Sequence, residues 1–150
     1  MTEAEEEPLK NIPFFPSNPV FMSIVWETIQ SAEKIVDLGC GNGSVRIELG
    51  QHYPNAKLVG YEISPDRAGL CREKGIEVFE QDLWSADVSD ADIVYGFLLF
   101  DLMPRVRDEI IPRMKSGSWF VSHCVQIPDL KADAERVNFF LYRKRDSDGK

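Results

Sequence analysis

The stretch "KIVDLGCGNGSVRIEL" (34–49) ends an apolar run in Asp37 and then places glycine at alternate positions, Gly39, Gly41 and Gly43. Glycines so spaced remove the side chains from one short turn, so that a ligand can lie against the backbone itself. Two further carboxylates follow apolar runs, Glu62 in "KLVGYEIS" and Asp82 in "FEQDLW". An acid at the end of an apolar run is costly to place unless it meets a partner. The chemistry implied is capture of a polar ligand at one edge of a sheet.

The elements that must position these residues are legible from periodicity. Short apolar runs at 34–38, 57–63, 76–81, 92–97 and 118–125 predict strands apolar enough to be covered on both faces, as parallel strands are. Helices are expected at 44–52, 65–74 and 104–115, with Gly75 and Gly117 where the last two would end. "SNPVFMSIVWETIQS" predicts one more helix ahead of the first strand, with Pro19 in its first turn, Ser17 or Asn18 as its cap, and Phe21, Ile24, Val25, Thr28 and Ile29 as its apolar stripe. The final "VNFFLYRKR" leaves no room for a crossover helix and is expected to pair antiparallel. The alternation predicts an α/β fold, a three-layer sandwich with a mostly parallel sheet of six or seven strands and an antiparallel last strand.

Composition narrows the function classes. The chain has 150 residues, 43% of them hydrophobic, enough for one core. The expected organisation is an acidic, disordered tail over 1–11, one domain over 12–145 and a short tail over 146–150. A net charge of −8 argues against a phosphate-backbone partner and favours cationic ones. The basic "YRKRDSDGK" at the end sits beside acids and reads as a solvated tail. Cys40, Cys71 and Cys124 show no disulfide or zinc spacing, which predicts reduced cysteines. The acidic start and the lack of a long apolar run predict a cytoplasmic protein without a membrane span.

The glycine turn falls above the carboxyl end of the first strand, where open α/β sheets bind ligands. Two nucleotide motifs fail on spacing. The dinucleotide fingerprint needs its third glycine one residue later than Gly43, and a P-loop needs Gly-Lys-Ser/Thr where only Arg46 is basic. "VDLGCGNG" instead closely resembles the first motif of class I S-adenosylmethionine-dependent methyltransferases, D-x-G-x-G-x-G. That resemblance implies a Rossmann-like fold, S-adenosylmethionine as cofactor, and contacts from Asp37, Leu38, Gly39, Cys40, Gly41 and Gly43, with Asp37 meeting the ammonium directly or through water. Glu62, followed by Ile63, stands where the two ribose hydroxyls need a paired acceptor, a device the dinucleotide fold shares. The resemblance further implies that Asp82 and the Leu83 amide hold the adenine, and it places Phe97 and Leu98 of the fourth-strand turn against the cofactor. Asp82 as a plain cap or turn residue stays open.

The resemblance extends beyond the cofactor motif. "IPFFPSNP", "FLLFDLMP", "MKSG" and "VSHCVQIP" look like the small crenarchaeal broad-specificity protein lysine methyltransferases and the family with sequence similarity 173, whose mitochondrial members methylate lysines of carrier or ATP synthase proteins. The match runs from about Ile12 to Tyr142. It implies a protein lysine acceptor, and Ser17 hydrogen-bonded to the methionine end of the cofactor, with a helix-cap role for Ser17 equally open. Relatives carry Tyr at the position of Phe14, an acid at that of Cys124, and a longer final hairpin, so the acceptor rim is expected to differ.

A lysine acceptor must react as the neutral amine, far below its free pKa near 10.4, so the site needs desolvation, a proton route or both. Asp101 and His123 are the catalytic candidates at the sheet's carboxyl edge. Asp101 as a helix cap and His123 as a hydrogen-bonded core histidine are the competing readings. The Asp-Pro-Pro-Tyr signature of amino-nucleobase methyltransferases is absent, in keeping with no nucleic-acid partner. Two other classes remain: a small-molecule methyltransferase, and a noncatalytic S-adenosylmethionine-binding module. No metal is expected.

Overall fold

The computed structural model describes residues 19–39 and 44–146. Its core is a seven-stranded sheet: β1 (Lys34–Leu38), β2 (Lys57–Tyr61), β3 (Glu77–Phe79), β4 (Ile93–Gly96), β5 (Trp119–His123), β6 (Ala134–Arg136) and β7 (Phe139–Arg143), in the order β3-β2-β1-β4-β5-β7-β6. The first five run parallel to one another, and β7 runs antiparallel to both β5 and β6. Chain order reverses between β1 and β4, the kind of switch point at which α/β sheets open a crevice.

Strand alternation sorts the apolar side chains into two layers. On one side Ile35, Ile93, Tyr95, Val121, Phe139 and Leu141 pack with Met22 and Val25 of α1 (Pro19–Thr28), with Ile29 just after it, and with Leu49 of α2 (Ser44–His52). On the other, Val36, Leu38, Val94, Phe120 and Tyr142 pack with Val106, Ile110 and Met114. In α3 (Pro65–Glu73), Ala68 and Cys71 cover Val78 of the short edge strand. Ile24, Val25 and Ile29 of the expected α1 stripe are buried, joined by Met22, while Thr28 is half-buried.

Expected and observed elements differ at their ends, for physical reasons. The fifth strand stops at His123 because Cys124 takes φ 71°, outside the extended region. β2 ends at Tyr61, short of 63, and Ile63 is left exposed. The expected helix over 104–115 is instead a run of changing pitch: a 3-10 turn (Phe100–Leu102), an α turn (Met103–Arg105), a π turn (Val106–Ile110) and a second 3-10 turn (Ile111–Arg113). Pro112 has no amide hydrogen to continue an α ladder, which accounts for the last change. Strand β6, paired through the Val137–Asn138 turn to β7, has no strong alternation of its own and makes up the larger of the two expected strand numbers.

Two expectations change outright. Cys71 is disulfide-bonded rather than reduced, since spacing along the chain does not report which segments fold together; Cys124 is a free thiol. The turns at Phe100 and Met103 have Leu99 and Leu102 at their cap positions and no side-chain cap, so Asp101 does not serve as one. Among the described residues, no helix is long and apolar enough to cross a membrane.

Candidate cofactor site

The carboxyl ends of β1, β2 and β3 enclose a cavity of about 220 Å³, lined by Gly39, Tyr61, Glu62, Ile63, Asp82, Leu83 and Trp84. Each lining residue stands at or just past a strand end, where ladder hydrogen bonding stops and the chain turns. Gly39 leaves β1 at φ 87°, tied by its amide to the Tyr61 carbonyl at 2.9 Å. That φ suits glycine, and a Cβ built there meets nothing within 4 Å, so the turn faces open space. Cys40, Gly41 and Gly43, like Phe14, Ser17 and the proline-rich lead, lie outside the described residues.

Glu62 is buried at the end of β2 although it carries a carboxylate. Its amide donates to the Phe79 carbonyl at 3.0 Å, and its Oε2 accepts the Ser64 amide at 3.1 Å. Ser64 in turn caps α3, its hydroxyl accepting from the Arg67 amide. The carboxylate is thus oriented by a helix start directly behind it. Across the cavity, Asp82 caps the 3-10 turn Leu83–Ser85, its Oδ1 accepting the Ser85 amide at 3.0 Å. The cap reading of Asp82 and its place in the cavity therefore coexist.

Gly39, Glu62, Ile63, Asp82 and Leu83 thus meet in one space. Other candidates stand apart from it. Asp37 is buried at the end of β1, and Leu38 belongs to the core beneath. Phe97 packs on the α1 side of the sheet and Leu98 on the other. Asp101 is exposed on the 3-10 turn after β4.

His123 lies within the core, stacked on Phe139 with ring centroids 4.4 Å apart, and its Nδ1 hydrogen-bonds the Tyr95 hydroxyl at 2.8 Å. Burial disfavours the imidazolium and pushes its pKa down to about 4, so it is neutral near pH 7. This geometry matches the core-histidine reading and leaves it a weak proton acceptor.

Two lining residues escaped the sequence reading. Tyr61 precedes Glu62 and places its hydroxyl to accept the Asp87 amide at 3.2 Å; Trp84 follows the "QDL" acid by two positions. Tryptophan beside a strand-end acid was the available signal. Among the described residues there is no cluster of potential ligands for a metal ion.

Residues 37–134 match the ANTKMT methyltransferase domain family. Curated relatives include the trans-aconitate 2-methyltransferases of Rhodococcus jostii, 31% identical over 66% of this chain and 39% of the relative, and of Mycobacterium tuberculosis, 32% identical over 67% and 39%. The chain thus spans about two fifths of the length of these relatives. Among solved structures, an RNA methyltransferase from Salinibacter ruber in complex with S-adenosyl-L-homocysteine superposes with a TM-score of 0.78, covering 91% of this chain and 95% of that one at 23% identity, a likeness of fold. The parallel sheet with its antiparallel end and a family match over residues 37–134 agree: the protein belongs to the ANTKMT methyltransferase domain family, among the class I S-adenosylmethionine-dependent methyltransferases.

Proposed function

We propose that the chain binds S-adenosylmethionine across the ends of β1, β2 and β3 and transfers its methyl group to a lysine amine on a protein. The observation that carries the cofactor reading is the cavity in which a buried, helix-oriented Glu62 faces the side-chain-free turn at Gly39 and the acid of the Asp82 turn. The lining donors fit the ligand: Glu62 would take the ribose hydroxyls, Asp82 and the Leu83 amide the adenine, and Gly39 would let the chain of the ligand pass, while Asp37, buried near the end of β1 and outside the lining, would meet the ammonium through water. When bound, the cofactor supplies an electrophilic methyl group on a sulfonium.

The protein's own contribution is alignment and exclusion of water, because in-line displacement at a methyl carbon needs no covalent intermediate on the enzyme. A lysine must shed its proton before it attacks. With His123 buried and neutral and Glu62 and Asp82 assigned to the cofactor, the candidate for the acceptor is Asp101, solvent-exposed and able to attract the ammonium while its proton passes to water. A protein acceptor is supported by the resemblance of the flanking motifs, by the net charge of −8, and by Leu99 and Phe100, which are 59% and 72% exposed beside Asp101 and offer an apolar rim to a bulky partner.

A small-molecule acceptor is the second reading, favoured by the names of the trans-aconitate relatives. The two are separated by incubation with isotopically labelled cofactor, a protein mixture and a metabolite pool, followed by mass spectrometry. Label on lysine, lost when the acceptor proteins are acetylated beforehand, supports the proposal; label confined to small molecules overturns the acceptor assignment.

A further inference from the structure

We propose that Trp84 contacts the adenosine part of the cofactor and that Arg113 and Arg105 are positioning residues that set its indole in the cavity wall. This rests on the reading of the cavity as a cofactor site. The cavity places carboxylates at Glu62 and Asp82, with Tyr61, Leu83 and Trp84 supplying the flat apolar surface that a purine requires. The indole is half-buried, packed against the core on one side and part of the cavity lining on the other.

Its setting is unusually well made for a three-residue turn. Arg113 donates through Nη2 to the Trp84 carbonyl and through Nη1 to the Ala86 carbonyl, both at 2.9 Å, while its Nε donates to the Glu109 carbonyl at 2.7 Å. A rigid planar fork thus satisfies carbonyls on either side of Ser85 and ties them to the run 100–113. From the same run Arg105 lays its guanidinium over the Trp84 ring, 4.1 Å from the centroid, and is itself held by the Glu109 carboxylate. Glu109 therefore anchors both arginines, one through its side chain and one through its backbone. The run that opens with exposed Phe100 and Asp101 at the sheet edge is the run that fixes this wall of the cavity.

The test is calorimetry of the full chain with S-adenosylhomocysteine and with methylthioadenosine, which lacks the amino-acid end. Trp84→Ala is expected to weaken both ligands by a similar factor of about tenfold or more. Trp84→Phe keeps an aromatic wall and should hold affinity within about threefold, but it should abolish a ligand-induced change in tryptophan fluorescence. Arg113→Lys, which keeps the charge and loses the fork, should weaken both ligands several-fold with little change in melting temperature, and Arg105→Gln should act in the same direction should Arg113→Lys fail to fold.

Unchanged affinity in Trp84→Ala overturns the proposal. So does a loss seen with S-adenosylhomocysteine and absent with methylthioadenosine, because Trp84 would then act at the amino-acid end. A wild-type chain that binds neither ligand overturns the cofactor reading itself, a separate and distinguishable failure.

Discussion

The Tyr95 hydroxyl and His123 Nδ1 meet at 2.8 Å between β4 and β5, with His123 only 1% exposed and flanked by Phe97 and Phe139. Because the folded-state pKa is depressed to about 4 from 6.5, the unfolded chain binds the extra proton first as pH falls. The stability that His123 contributes in its neutral form is thus complete above about pH 6.5 and is lost as pH falls from there through about 4. Chemical denaturation across that window should show a loss of about 3 kcal/mol, from the shift converted at 1.36 kcal/mol per unit. His123→Phe should flatten this part of the profile. Asp87, Asp92 and Asp133 titrate below the usual carboxylate value and act at lower pH, which keeps the two effects apart.

Glu62→Ala should weaken S-adenosylhomocysteine binding by about 1.5 to 3 kcal/mol, the worth of a charge-assisted bond from a carboxylate to hydroxyls. Calorimetry reads this directly, and helical content by circular dichroism should hardly change. Equal affinity in the variant would remove Glu62 from the site.

Gly39→Ala separates space from backbone. The added methyl meets nothing within 4 Å, yet φ 87° is unfavourable to any L side chain, so the cost should be about 1 to 2 kcal/mol of strain. Denaturant midpoints without ligand should fall accordingly. A neutral result would mean that the turn relaxes out of the left-handed region.

At the opposite end of the sheet the Asp92 side chain ties the start of β1 to Lys115, ahead of β5. Its Oδ2 accepts the amides of Glu33 and Lys34 at 2.7 and 3.1 Å, and its Oδ1 pairs with Lys115 at 2.7 Å. Burial alone would raise its pKa, but the Lys115 bond and the two amides outweigh that and hold it below the ordinary value, so its contribution is present above about pH 3.8 and fades below. Asp92→Ala should cost about 1 to 3 kcal/mol at neutral pH and leave ligand affinity intact in the folded fraction. Loss of affinity without loss of stability would contradict a purely structural role.

For the acceptor, the rate at subsaturating protein should rise about tenfold per pH unit below the effective pKa of the amine. Asp101→Asn should lower activity toward a lysine acceptor and leave cofactor affinity unchanged, measured by single-turnover labelling and calorimetry. A flat pH profile would mean that transfer to a neutral amine does not limit the rate.

Much of this protein is legible in its sequence because the relevant physics is local. The apolar run Lys34–Leu38 specifies β1 with the observed bounds, since burial on both faces needs continuous apolar side chains, and α2 also keeps the expected bounds Ser44–His52. The positive φ at Gly75 and Gly117 follows from residues that alone tolerate it cheaply. The strand-end acids Glu62 and Asp82 stand out as charges that need a partner, and they do meet at one cavity.

Tertiary structure decided what depends on the distance between segments far apart in the chain. The local sequence places Trp84 beside a strand-end acid but does not show how its indole is held, because that setting comes from Arg105 and Arg113, more than twenty residues away. Whether His123 faced solvent or core turned on Tyr95 and Phe139 in neighbouring strands, and β6 exists only because β7 offers it an edge. Hydrophobic periodicity records which face of an element is covered; it does not record what covers it, and only the assembled sheet brings those partners within hydrogen-bonding distance.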